Sequence, residues 1–367
     1  MDFSLSVGCG QMLVVGVAEA TLDARERKAF VDGTRGGVVL FRRNVSEEMA
    51  AVAALTADVA RAMGDERPAL VAIDQEGGRV ARLGAPAMRL PPMRAIGDFG
   101  DVELARRVAE AQGKELAALG ITLSFAPVAD VHTRATNPVI GDRAFSAHPQ
   151  TVAAFAAAWA DGLAKGGVLS CAKHFPGHGD TTVDSHLALP HVDRGRRGLD
   201  HIELVPFRAL SGPEARFAVP SMMTAHVVYA ALDPEQPATL SHAICTDLLR
   251  KELGFEGVLF SDDLEMKALA HPPAESAVLA VLAGCDVVLV CSRADDADAV
   301  HEALVREAER SPAFRTRCEE AWGRAIAMRR RVVPKPETDA ARLEAIFAAS
   351  EPMADELARR ISAGGIP

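Results

Sequence analysis

The stretch from Val168 to His186 reads VLSCAKHFPGHGDTTVDSH. Its opening, Val168 to Ala172, is an apolar run of strand length. The fourteen residues from Lys173 to His186 then hold one Lys, three His, two Asp, three hydroxyl residues and two Gly. So many titratable groups directly after a buried strand mark an active-site loop. Gly177 and Gly179 open backbone conformations closed to other residues, and Pro176 stiffens the turn. A loop with a purely structural role needs turn residues, not three imidazoles and a lysine.

Seven more short apolar runs flank this one. In chain order the eight are Met12–Val17, Gly37–Phe41, Ala69–Ile73, Thr122–Ala126, Val168–Lys173, Phe217–Thr224, Gly257–Ser261 and Asp286–Cys291. Longer Ala-rich amphipathic stretches separate most of them, among them 46–63, 102–119, 151–166 and 242–253. Eight strands alternating with helices predict an α/β fold, a parallel sheet closed into a (β/α)8 TIM-type barrel. A doubly wound open sheet is the alternative, but no GxGxxG or phosphate-loop pattern follows the first run. The barrel is expected over 1–335. The remainder, 336–367, begins at the Pro334-Lys335-Pro336 stretch and reads as two amphipathic helices packed on the barrel or on a partner.

Bulk properties narrow the function. The 367 residues are 49% apolar, with a net charge of −10 and a pI near 5.6. That balance argues against a nucleic-acid partner, and no apolar run has the roughly 18 residues of a membrane span. The N-terminus lacks the basic segment of a signal peptide. The six Cys are scattered, with no CxxC pair, which fits a reducing cytoplasmic compartment.

Chemistry in a barrel sits at the C-terminal strand ends. Asp74 follows the third run, Asp130 and Arg143 the fourth; Lys173 and His174 end the fifth, His226 the sixth, and Asp262 and Asp263 the seventh. Asp262 is the functional candidate, with Asp263 expected to cap a helix starting near Leu264. Asp184 and His186 are spaced i, i+2, on one face if the segment is extended. A carboxylate there orients the imidazole and raises its pKa, as suits a general acid. The same His cluster also offers zinc ligands, although Pro176 and Gly177 interrupt the spacing. In IDQEGGRVARL, Ile73–Leu83, the paired Gly make a tight turn, and Glu76 and Arg79 are expected to form an ion pair beneath it. Asp74, Arg143, Lys173 and His174 then form a polar ring suited to a polyhydroxylated ligand. With only 5% aromatic residues to stack on a long glycan, a short saccharide is favoured.

The motifs GQMLVVGV, AIDQEGGRVARL, LPPMRAIG, FAPVADV, NPVIGDRAF, KHFPGHGDTTVDSH, MTAHVVY and GVLFSDDLEM run in order over about 8–300. In them the chain resembles the glycoside hydrolase family 3 β-N-acetylglucosaminidases, in particular the single-domain cytoplasmic type of peptidoglycan recycling. The resemblance implies Asp262 as nucleophile, His186 as acid/base and Asp184 as its dyad partner. It implies that Asp74, Arg82, Arg143, Lys173 and His174 bind a non-reducing N-acetylglucosamine. It further implies a retaining mechanism on GlcNAc-anhydro-muramoyl peptides, with no metal or cofactor and a monomer or weak homodimer. An uncharged acid/base leaves room for phosphate as acceptor, so a phosphorylase is the rival reading. A metal-dependent barrel hydrolase and a non-catalytic sugar-binding barrel stand further off.

Overall fold

The computed structural model describes residues 4–185, 187–212, 215 and 217–363. Its centre is a closed barrel of eight parallel strands: β1 Leu13–Gly16, β2 Gly37–Leu40, β3 Leu70–Ile73, β4 Leu123–Ser124, β5 Leu169–Phe175, β6 Ser221–Thr224, β7 Val258–Asp263 and β8 Val287–Val290. Each pairs with the next in sequence, and β8 closes on β1, with Val14 facing Gly37 on one side and Leu289 on the other. All eight lie within, or overlap, the apolar runs of the sequence. They read as continuous apolar runs because both faces are covered. Val38, Leu40, Val71 and Ile73 join the outer core beneath the helices, while Val14, Val39, Leu70, Ala72, Leu123 and Phe260 fill the barrel interior.

The two-residue side-chain period aims the site. On β3 the inward series is Leu70, Ala72, and the next position is Asp74. On β5 it is Leu169, Cys171, then Lys173; on β7 it is Val258, Phe260, then Asp262. Three charged residues thus continue apolar inward series at the C-terminal end. The opposite end is closed by the helix Pro312–Arg329, whose Ala325 and Met328 join the interior cluster and whose buried Arg329 donates to the Gly36 carbonyl and to Gln11.

Helices surround the barrel. Asp101 caps the helix Val102–Ala118 by accepting from the Leu104 N–H at 2.9 Å. This helix crosses Pro149–Lys165 so closely that a Cβ on Gly162 would lie 2.3 Å from the Arg106 carbonyl oxygen, which explains the glycine. The segment 243–252 is helical as expected but π-wound. The C-terminal stretch differs from the expectation of two helices. It is one helix, Ala340–Ala363, that continues through Pro352. Proline removes one backbone bond, and the buried Leu343, Phe347 and Leu357 hold both halves against the barrel's helices. Arg360–Asp101 and Arg107–Glu356 pairs tie it to the start of Val102–Ala118. All six Cys are free and buried, and no helix among the described residues is long and apolar enough to cross a membrane.

Candidate active site

A cavity of about 280 Å³ opens at the C-terminal end of the strands. It is floored by Val39, Phe125, Met223 and Leu289, and its walls carry Asp74, Arg82, Arg143, Lys173, His174, Asp184 and Asp262. Seven of the eight candidates named from sequence therefore line one cavity. The eighth, His186, lies outside the described residues.

Lys173 is the hub. Its Nζ sits 2.6 Å from Asp74 Oδ1 and 2.6 Å from Glu76 Oε1. Arg82 donates to the other Asp74 oxygen at 3.0 Å. Arg143 forks onto Glu76, with both nitrogen–oxygen distances 2.8 Å. Burial alone pushes each carboxyl upward, but the facing cations outweigh it. Lys173 and Arg82 hold Asp74 below its usual value, and Arg143 and Lys173 hold Glu76 well below. The same carboxylates hold Lys173 above its usual value against burial, so it stays charged. Two carboxylates and three cations form a rigid alternating array, which fixes donors and acceptors for a polyol without a large net charge.

This array corrects one expectation. Glu76 does not pair with Arg79. It is buried, and Arg143 and Lys173 hold it, while Arg79 turns outward to Asp142 at 3.3 Å and to the Val139 carbonyl. The hairpin between them does form: Gln75–Gly77 pairs with Val80–Ala81, and Gly77 and Gly78 take positive φ.

His174 is fixed by a residue that the sequence placed correctly but gave no task. Asp130 Oδ2 lies 2.7 Å from His174 Nδ1, and Asp130 Oδ1 accepts the His174 and His178 backbone N–H groups at 3.2 and 2.6 Å. Asp130 is fully buried, and these partners hold it ionised against that burial. The carboxylate keeps a proton on Nδ1 and points Nε2 toward the Arg143 side, at 3.5 Å. His178 contacts Thr181 and Ser185, and burial pushes it down to about 4, so it is neutral near pH 7.

The carboxylates that end β7 differ. Asp262 keeps one face open to the cavity. Burial favours its neutral form, but His226, His174, the Asp263 N–H at 2.8 Å and Lys173 outweigh it and hold it below the usual range. Burial pushes Asp263 up to about 7. It caps no helix near Leu264, because the next helix begins at Pro273; its Oδ1 instead accepts the Glu265 N–H of a turn. His226 is clamped between Thr239 at 2.7 Å and the Asp263 carbonyl at 3.0 Å.

Asp184 lines the cavity. Its carbonyl accepts from the Leu187 and Ala188 N–H groups at 2.9 and 3.1 Å, and the expected placement of Asp184 and His186 on one face falls on His186, outside the described residues. The loop before it is held from below by Asn137, which donates to the His178 and Thr181 carbonyls, and by Tyr229, which donates to the Gly177 carbonyl at 2.7 Å. Among the described residues no group of three His, Cys, Asp or Glu is arranged to hold a metal.

A small polar cavity at the C-terminal strand ends, with an ionised carboxylate on one wall and an array of paired charged groups on another, has the form of a barrel enzyme's site and suits a polyhydroxylated ligand. Residues 4–318 match the glycosyl hydrolase family 3 N-terminal domain, and the chain belongs to that family. It is 42% identical over 300 residues to a β-hexosaminidase of Chromobacterium violaceum, spanning 80% of this chain and 82% of that one. Among solved structures it is similar to a β-N-acetylhexosaminidase from Beutenbergia cavernae (35% identity, TM-score 0.82, 89% of this chain and 99% of the other). It is also similar to NagZ from Neisseria gonorrhoeae in complex with N-trifluoroacetyl-D-glucosamine (33% identity, TM-score 0.77, 94% and 98%). The protein is a glycoside hydrolase of the β-N-acetylhexosaminidase type, and its substrate is a saccharide.

Proposed function

We propose that the protein is a retaining exo-β-N-acetylglucosaminidase, acting in the cytoplasm on muropeptides derived from peptidoglycan. The observation that carries the mechanism is Asp262: a carboxylate on the inward series of β7, kept ionised inside an enclosed pocket, with an open face toward the sugar-binding array. A pocket of about 280 Å³ lies just below the roughly 300–1,000 Å³ common for small-molecule sites and suits one terminal sugar better than a chain. The muropeptide class rests on the motif resemblance, and six free buried cysteines fit a reducing compartment.

In the first step Asp262 Oδ bonds to C1 as the bond from C1 to the leaving oxygen breaks, and His186 gives that oxygen its proton. In the second, water attacks C1, the bond to Asp262 breaks, and neutral His186 takes the water's proton. Asp184 orients His186 and favours its protonated form before the first step. Asp74, Arg82, Arg143, Lys173 and His174 hold the sugar's hydroxyl groups so that C1 meets Asp262 in line.

The test is turnover of an aryl β-N-acetylglucosaminide and the matching β-glucoside, with the anomer of the first product followed by NMR. Preference for the N-acetyl sugar with the β-anomer formed first supports the reading. First formation of the α-anomer overturns it, and a phosphate-dependent sugar 1-phosphate product recasts the enzyme as a phosphorylase.

A further inference from the structure

Behind the Gln75–Ala81 hairpin lies a second polar cavity, of about 380 Å³. This is far more than the roughly 30 Å³ share of one water. Arg42, Arg82 and Arg89 line it, with the side chains of Gln75 and Gln112 and no carboxylate. Arg82 is paired with Asp74, but Arg42 and Arg89 have no acidic partner among the described residues, unlike the paired cations of the neighbouring array.

Two orphaned groups point to a ligand. Gln112 is 1% exposed, and neither its amide nitrogen nor its amide oxygen has a hydrogen-bond partner among the described residues. Arg82 Nε is also buried and unpaired, although the same guanidinium donates to Asp74. A buried amide without partners destabilises the fold, which favours an occupant that satisfies it.

We propose that this cavity is an accessory oxyanion site, for a small carboxylate or phosphate-type group, coupled to the saccharide site through Arg82. Arg82 lines both cavities. An anion accepting from its free Nε leaves the donation to Asp74 intact and fixes the guanidinium in place. Occupancy therefore tightens saccharide binding rather than competing with it. Arg89, exposed and without an ion pair among the described residues, supplies the entry charge, and Gln112 donates from the floor. The oxyanion has two possible sources, a free anion or a carboxylate on the leaving group of an acidic substrate. The second source rests on the muropeptide reading above; the first does not.

The experiment uses the full chain and sulfate, which has the right charge and does not attack sugars as phosphate can. Calorimetry reads sulfate binding to the resting enzyme, and kinetics on a neutral aryl glycoside at constant ionic strength read the coupling. Expected are saturable binding, and a KM about fivefold lower with kcat little changed, the small end of site-to-site coupling. Both effects vanish in Arg89→Ala and Gln112→Met, whose rates without sulfate match the parent. If sulfate is inert but Arg89→Ala raises KM for a carboxylate-bearing aglycone and not for the neutral one, the anion is the substrate's own. No binding, together with equal response of both variants to neutral and acidic aglycones, overturns the proposal. Failure of all turnover would count against the proposed activity alone, because calorimetry does not depend on it.

Discussion

Replacing Glu76 by Gln changes one charge and almost no volume, and it tests the electrostatic frame of the site. Glu76 is held by Lys173 and by the Arg143 fork, whose side chains are 3% and 10% exposed. After the change Lys173 keeps Asp74, but Arg143 loses its ion-pair partner and keeps neutral acceptors, among them the amide oxygen at position 76 and the Val139 carbonyl at 3.2 Å. Removing one partner from a buried ion pair costs about 3–5 kcal/mol. With an unfolding entropy of about 2.1 cal/mol/K per residue over 367 residues, this lowers Tm by about 4–6 °C. Arg143 also loses its fixed orientation in the cavity, and if it binds the sugar as proposed, KM for an aryl N-acetylglucosaminide rises about tenfold, or about 1.4 kcal/mol. Differential scanning calorimetry and initial rates read the two effects. Arg79→Ala is the control: half-exposed, it stays within about 0.5 kcal/mol of the parent. In the double variant Glu76→Gln/Arg143→Met the losses are less than additive, because the stranded cation is gone. Glu76→Gln with unchanged Tm and KM, or Arg79→Ala with the larger loss, would refute the assignment of Glu76 to Arg143 and Lys173.

Other outcomes follow from the same contacts. Burial pushes Glu115 up to about 7, from 4.5, so the native state binds its proton more tightly and stability is lost as pH rises between these values. Glu115→Gln therefore raises Tm at pH 8 and leaves it unchanged below about pH 4.5; a gain independent of pH would contradict this. Phe347→Ala empties a buried position between the last helix and the barrel and costs about 3–5 kcal/mol by denaturant melts; no loss would mean that this helix does not share the core. Tyr229→Phe removes the bond to the Gly177 carbonyl, lowering kcat several-fold while KM for the sugar holds. A change in KM alone would mean that the bond does not serve the catalytic loop. Asp184→Ala should slow poor leaving groups more than activated aryl ones; equal losses on both would remove it from the acid's company.

The barrel was legible because strand and helix periods are local properties. Each strand is buried on both faces, so each appears as a short apolar run, and residues such as Asp74, Lys173 and Asp262 stand out as charges ending an inward series. Partners were less legible. Glu76 and Arg143 are 67 residues apart in sequence, and only the closed barrel brings β3 beside the loop after β4; the nearby Arg79 was the plausible but wrong choice. Asp130 was visible as a strand-end acid, but its backbone contacts to His174 and His178 depend on how β5 ends. Gln112 gave no signal, since a glutamine on an amphipathic helix reads as surface until its burial is known. The tail was expected as two helices, but it is one that runs through Pro352, because apolar residues on either side of the proline are buried together.

The retaining mechanism requires that Asp262 forms a covalent bond to the sugar. The direct measurement is intact-protein mass followed by peptide mapping, after reaction with a 5-fluoro β-N-acetylglucosaminyl fluoride, which forms the glycosyl-enzyme faster than water releases it. One added fluorinated sugar is expected, located on Asp262 and absent in Asp262→Asn. A label on Asp263, or turnover of the fluoride with no adduct at any time, would contradict it.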